Sequence, residues 1–231
     1  MLSLERGSVT AIQIDAFPDT SRPRVDIAVA TLRRAASFVE TGMLPLVVPA
    51  YTGHGAIRDG LYWPRTVGNA LRELDRFLSI LVDEVAHAIG LPEADRLRLS
   101  RQRNTANKLR AIYRALGLAS VHHDRLRAMV RCSACLLYCA GTVRRADARG
   151  GEGMTVAWPG RSPDDDRPPP RLMIGDRLVV EATDLADIGR FYAAAAIDLQ
   201  RAGDNLLLVT QRPFEKGQHR GEIEFGRPAV G

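Results

Sequence analysis

The chain has 231 residues, of which 45% are apolar and 26% charged, with a formal net charge of +5. That balance suits a globular domain and excludes collagen-like, coiled-coil and wholly disordered classes. No stretch approaches the roughly 18–20 apolar residues of a membrane span, and Glu5 with Arg6 interrupts the start where an export signal needs an apolar run, so a cytoplasmic protein with three reduced cysteines is expected.

Residues 1–24 read as an N-terminal arm: a short alternating strand over Val9–Ile14, then breakers from Pro18 to Pro23. From Asp26 to Thr41, Ile27, Leu32, Ala35, Ala36 and Val39 recur at helical spacing, and Gly42 stands where a helix ends. Leu44–Ala50 carries two prolines and Tyr51–Pro64 is rich in glycine and aromatics, so an ordered loop is expected there. The clearest helix follows, with Val67, Leu71, Leu74, Leu78, Leu81, Val85 and Ile89 on one face, Phe77 and Val82 widening it, and Gly90 as its stop. A stripe this wide predicts a central, much-buried helix.

Leu91-Pro92-Glu93 restarts the chain with proline near a first helical turn, and Leu109, Ile112, Tyr113 and Leu116 define an amphipathic helix ended by Gly117. Asp124 suits the start of the next, which points Leu126, Met129, Val130, Leu136 and Leu137 inward and stops at Gly141. Over 142–181 the pattern changes to short apolar pieces, Thr142-Val143, Met154–Trp158, Leu172–Ile174 and Leu178–Val180, with Gly175-Asp176 as a hairpin signal between the last two. Between them 159–171, with three aspartates and three prolines in rows, reads as a mobile loop. Thr183 or Asp184 caps a last helix through Ile188, Phe191, Ala195 and Leu199 to a stop at Gly203, and Leu206–Val209 adds a strand or extended segment. The expected fold is mainly α: one bundle of about five helices over 25–210, a small antiparallel sheet inserted before the last helix, and a flexible tail over 211–231.

Three constellations compete for chemistry. Cys132, Cys135 and Cys139 lie at i, i+3 and i+7, so on a helix they share a stripe. They fit either a metal or redox-sensing thiol site, with His122 or His123 as a further ligand, or a row of small buried hydrophobes; packing is the preferred reading, because helix-borne triples lack the turns that wrap zinc. Glu84-Val85-Ala86-His87 has the spacing of a di-metal carboxylate helix but no second copy, which favours a surface or half-buried ion pair of Asp83 or Glu84 with His87. His54, with Arg58 and Arg65, makes the 51–65 loop the alternative place for a small enzyme's site. Nucleotide-binding glycine fingerprints and nucleophile elbows are absent, and nothing implies a cofactor or a metal ion.

The strongest signal is charge. Glu93–Arg149 holds 13 basic residues against four acidic ones, a local +9 that leaves −4 to the rest of the chain. Within it Arg127, Arg131, Ala134 and Tyr138 return to one helix direction, since seven residues at about 100° each nearly close two turns. Arg131-Cys132, six residues, then Tyr138 with Gly141 soon after resembles the motif helix of the HEPN superfamily, in which arginine is followed after four to six residues by histidine. The resemblance extends to the order of elements over Asp26–Gly203. It implies a helical bundle, a homodimer through the motif helix, RNA as ligand and a setting in defence or toxin–antitoxin systems. HEPN ribonucleases move a proton with that histidine; here tyrosine, with an unperturbed pKa near ~10, replaces it, so the resemblance implies a non-catalytic member. The expected RNA- or polyanion-binding residues are Arg103, Lys108, Arg110, Arg114, Arg127, Arg131 and Tyr138, with a thiol sensor and a purely structural or interaction protein as further alternatives.

Overall fold

The computed structural model describes residues 21–42, 62–158 and 169–211. The strand expected over Val9–Ile14, His54 and Arg58 of the glycine–aromatic loop, the stretch 159–168 and the tail after 211 lie outside the described residues. The fold is mainly α: the described residues form six α-helices and a two-stranded antiparallel sheet placed before the last helix.

Helix α1 spans Ser21–Ser37 and closes in a π-helical turn over Phe38–Gly42. It begins earlier than its apolar spacing suggested, with Pro23 in the first turn, where the missing N–H has no intrahelical partner to lose. Its buried stripe is Val25, Val29, Leu32, Ala36 and Val39, alternating steps of four and three; Ile27, expected inward, is 66% exposed. Two phases of the apolar pattern were available, and the one that adds Val25 and Val29 buries more side chains.

Helix α2, Tyr62–Ala88, is the central element, packed against every other helix, and buries Val67, Leu71, Leu74, Leu78, Leu81, Val82 and Val85 as its periodicity required. Gly90 takes φ 68°, the left-handed turn that ends the run. The next stretch divides into α3, Glu93–Ser100, and α4, Thr105–Ala115. Asn104 makes the division: its side chain accepts the Asn107 N–H at 3.1 Å and starts a new helix. Helix α5, His123–Cys139, closes through Ala140 and Gly141 at φ 51° and 84°. Asp124 lies in its first turn, where a carboxylate suits a helix start, whereas Val130 and Leu137, expected inward, are only half-buried.

Strands β1, Gly153–Thr155, and β2, Arg171–Met173, pair antiparallel with Met154 opposite Leu172. The hairpin expected across Gly175-Asp176 does not form. The turn is there, but it folds onto the end of α5: Val143 N–H donates to Asp176 O at 2.9 Å and Leu178 N–H to Gly141 O at 2.7 Å. Leu178, Val180 and Val143 are thereby buried, a gain that pairing 172–174 with 178–180 would forgo. Arg171, assigned from sequence to the mobile loop, is a strand residue. The run Met154–Trp158 is extended, but only its start is strand; Trp158 is 2% exposed in the common core.

Helix α6 runs over Ala182–Gln211, straight through the glycine predicted to stop it and through the segment expected as a strand. Its start is half a capping box: Asp184, the third residue in, accepts the Glu181 N–H at 2.8 Å, so aspartate serves from inside the helix and not as the cap itself. Gly203 is a packing residue, since a Cβ there would stand 3.2 Å from Val85 Cγ1. The same reason, in sharper form, explains Gly189, where a Cβ would lie 2.8 Å from the Ala36 carbonyl of α1 and 3.1 Å from Glu40 Cβ. Gly189→Ala is therefore expected to lower stability by about 1–3 kcal/mol, overpacking outweighing the roughly 1 kcal/mol that alanine gains in helix propensity. Urea denaturation reads the loss directly, and an unchanged midpoint would mean that α1 and α6 separate without cost.

A candidate polyanion-binding cleft on helix α5

Helix α5 leaves Cys139 by a left-handed turn, and residues 144–152 then run back over its outer face toward β1. The return is pinned by one carboxylate. Asp147 Oδ1 stands 2.7 Å from Arg131 Nε, while Oδ2 accepts the Thr155 N–H at 2.9 Å and the Thr155 hydroxyl. Arg131 Nε and Asp147 Oδ1 are buried and have no other partner; their contact is a close ion pair rather than a linear hydrogen bond. The Asp147 N–H donates to Gly153 O at 3.0 Å, so the loop is tied to both α5 and β1.

Beside this pin lies a cleft of about 460 Å³ lined by Arg131, Tyr138, Cys139, Arg144, Arg145 and Met154, among others. Arg144 and Arg145 are exposed, and the Tyr138 ring is 75% exposed at the rim. Of the polyanion-binding residues expected from sequence, the cleft takes only Arg131 and Tyr138. Arg131 does not belong to a free outward row, as its 28% exposed side chain is turned into the Asp147 contact. Arg127, one turn earlier, is exposed. Arg110 and Arg114 lie on the open face of α4, whose Asn107 meets His123 at the opposite end of α5 from Tyr138; Arg103 is exposed in the break before α4. None of these three lines the cleft.

Lys108 is a correction. It is 4% exposed, and its ammonium donates to Asp83 Oδ1 and Oδ2 at 2.9 and 2.7 Å and to Ser79 Oγ at 3.0 Å. All three donors are spent inside the protein, so Lys108 is no part of a polyanion-binding surface. The pair with His87 expected of Asp83 or Glu84 is likewise absent: Asp83 holds Lys108, Glu84 meets Arg24 at 3.2 Å, and Arg96 donates to His87 Nδ1 at 2.5 Å. The acids found longer-range partners on neighbouring helices. Arg144 and Arg145, outside the expected binding set, stand in the sequence as an arginine doublet just beyond the Gly141 stop.

The cysteine stripe packs. Cys132 and Cys135 are buried, and Cys139 is half-buried at the cleft. Burial pushes the Cys132 thiol up to about 12 and the Cys135 thiol up to about 11, which leaves both protonated at neutral pH. Among the described residues no group of three or more His, Cys, Asp or Glu side chains is placed to hold a metal ion, and no helix is long and apolar enough to cross a membrane. Arg65, the described member of the alternative loop site, is exposed in the first turn of α2. No protein family, curated protein or solved structure matches the chain.

Proposed function

We propose that the chain is a non-catalytic, HEPN-like helical domain that binds RNA or another polyanion at the cleft between α5 and the returning 144–152 segment. The observation that carries this reading is the cleft itself: two exposed guanidinium groups, Arg144 and Arg145, beside an exposed aromatic ring on a helix that also presents Arg127. Guanidinium forks match phosphate oxygens, and a tyrosine face offers a stacking surface to a base. Proton transfer at a ribose hydroxyl is not part of the proposal, because the position that would need histidine carries Tyr138.

Arg131 acts here through Asp147, holding the returning segment in place, and the phosphate contacts fall to Arg144, Arg145 and Arg127. The test is fluorescence anisotropy with a short labelled RNA over a salt series. Tight binding at about 50 mM salt that weakens steeply toward about 200 mM is expected, and reversing both charges with Arg144→Glu and Arg145→Glu should flatten the log–log salt slope by at least about 1.4, roughly 0.7 per single-strand phosphate contact. Absence of binding at low salt would end the proposal.

A further inference from the structure

On the far side of α1 from the core, Arg24, Ile27, Thr31, Arg34 and Phe38 recur at steps of three and four and so share one direction. Ile27 and Phe38 are 66% and 60% exposed, about 16 Å apart along the axis at 1.5 Å per residue. On α2 the stripe Glu73, Phe77, Ile80, Glu84 does the same, and Ile80 is 42% exposed. The two stripes border a groove of about 320 Å³ whose walls include Ile27, Thr31, Phe77 and Ile80. It lies away from α5, and nothing in the polyanion-binding proposal uses it.

Three features of this face belong together. It exposes large apolar side chains, Ile27, Phe38 and Ile80, between its charged residues. Its charges are sorted by helix: the α1 stripe carries Arg24 and Arg34, the α2 stripe Glu73 and Glu84, the first of these acids also meeting Arg76 of its own helix at 3.6 Å and the second Arg24. The helices are antiparallel, as the Arg24–Glu84 contact at 3.2 Å between the start of one and the end of the other requires. Residue 24 is thus level with 84, and stepping down both helices brings 27 level with Ile80, 31 with Phe77 and 34 with Glu73.

The geometry points to a second copy of this chain as the occupant of the groove. A two-fold axis running parallel to the helices keeps every residue at its own height while laying α1 of each protomer over α2 of the other. The partner's Arg24 then faces Glu84, the partner's Arg34 faces Glu73, and the partner's Ile27 enters between Phe77 and Ile80. A two-fold interface must be self-complementary, each contact made twice with roles exchanged. A basic stripe and an acidic stripe on the same face, in antiparallel register, meet that condition. The dimer surface is therefore α1–α2, and the face of α5 expected from the family resemblance is left free for ligand.

Sedimentation velocity on the full chain from roughly 1 to 100 µM tests this, with affinity read as the concentration at half-dimer. A dimer is expected for the unmodified chain, and monomers of unchanged helicity for Ile27→Asp and Ile80→Asp, both exposed positions. Arg34→Glu should weaken association about tenfold, and Arg34→Glu combined with Glu73→Arg should restore it, which a variant that merely disturbed folding would not do. A monomer at every concentration overturns the inference and leaves the groove to a different partner. So does a dimer that survives both aspartate variants or that Tyr138→Asp breaks, the last placing the interface on α5. None of these readouts involves RNA, so the inference and the proposed function stand or fall separately.

Discussion

Asp83→Ala is expected to cost about 2 kcal/mol of folding stability, read as a lowered urea midpoint at unchanged m-value. The Lys108 ammonium sits 4% exposed between α4 and α2, and the Asp83 carboxylate supplies two of its three hydrogen bonds. Without it a buried cation keeps only Ser79 Oγ. Removing one partner of a fully buried pair costs roughly 3–5 kcal/mol; the lower figure here reflects the 40% exposure of Asp83, through which water reaches the site. Lys108→Met should cost less, because the lysine's aliphatic chain is already buried and methionine leaves no buried charge behind. The double variant Asp83→Ala with Lys108→Met should accordingly be more stable than Asp83→Ala alone, the non-additivity that marks direct contact. A stability loss in Asp83→Ala of less than about 0.5 kcal/mol would show that Lys108 swings out to solvent, and would return it to the set of available surface cations.

The second expectation is a loss of stability on the alkaline side. Burial holds the Cys132 thiol at about 12 against an ordinary 9.0, and the Cys135 thiol at about 11. Burial likewise raises the Tyr113 phenol to about 12, with Asp198 adding to it, and puts Tyr192 well above 10.0. Each is a group whose neutral form the fold prefers. Below pH 9 folded and unfolded chains both keep these protons and the contribution to stability is complete; above pH 9 the unfolded chain sheds thiol protons that the folded chain retains, so stability falls as pH rises. By pH 10 Cys132 should remove about 1 kcal/mol and Cys135 nearly as much, because both unfolded thiols titrate near 9.0, while Tyr113, whose ordinary value is 10.0, contributes less. Thermal melts in reductant from pH 7 to about 10.5 should therefore show Tm dropping above pH 9, and Cys132→Ala, less stable at pH 7, should show a shallower slope. An equal slope in that variant would sink the account of Cys132 as one of the titrating groups.

The central helix was legible because Val67 to Val85 offers a single apolar phase over five turns, leaving one way to bury it. Helix α1 was legible in kind but not in phase, because Ile27 and Val29 are two positions apart on almost opposite sides and composition does not choose between them. The glycines show the limit most clearly. Gly90 and Gly141 end helices, whereas Gly189 and Gly203 lie within one, and the difference is set by whether another helix passes close by. A local pattern carries no information about that neighbour.

The cleft was legible as a basic block centred on α5, and Tyr138 was correctly read as facing outward. Which arginines remain free was not, since Arg131 is engaged by Asp147 from a loop 16 residues downstream and Lys108 by Asp83 from the previous long helix. Charge counts add such residues to a surface from which tertiary pairing has removed them.

By itself the amino-acid order determined a mainly helical chain, the burial of Cys132 and Cys135 and the concentration of positive charge around α5, because helical periodicity and local composition act over a few residues. The three-dimensional packing decided which apolar stripe of α1 turns inward, where α6 ends, that the Gly175 turn docks on α5, and which cations keep their charge for solvent. Those outcomes rest on pairings between residues far apart in the chain, whose energies exist only once the helices have been brought together.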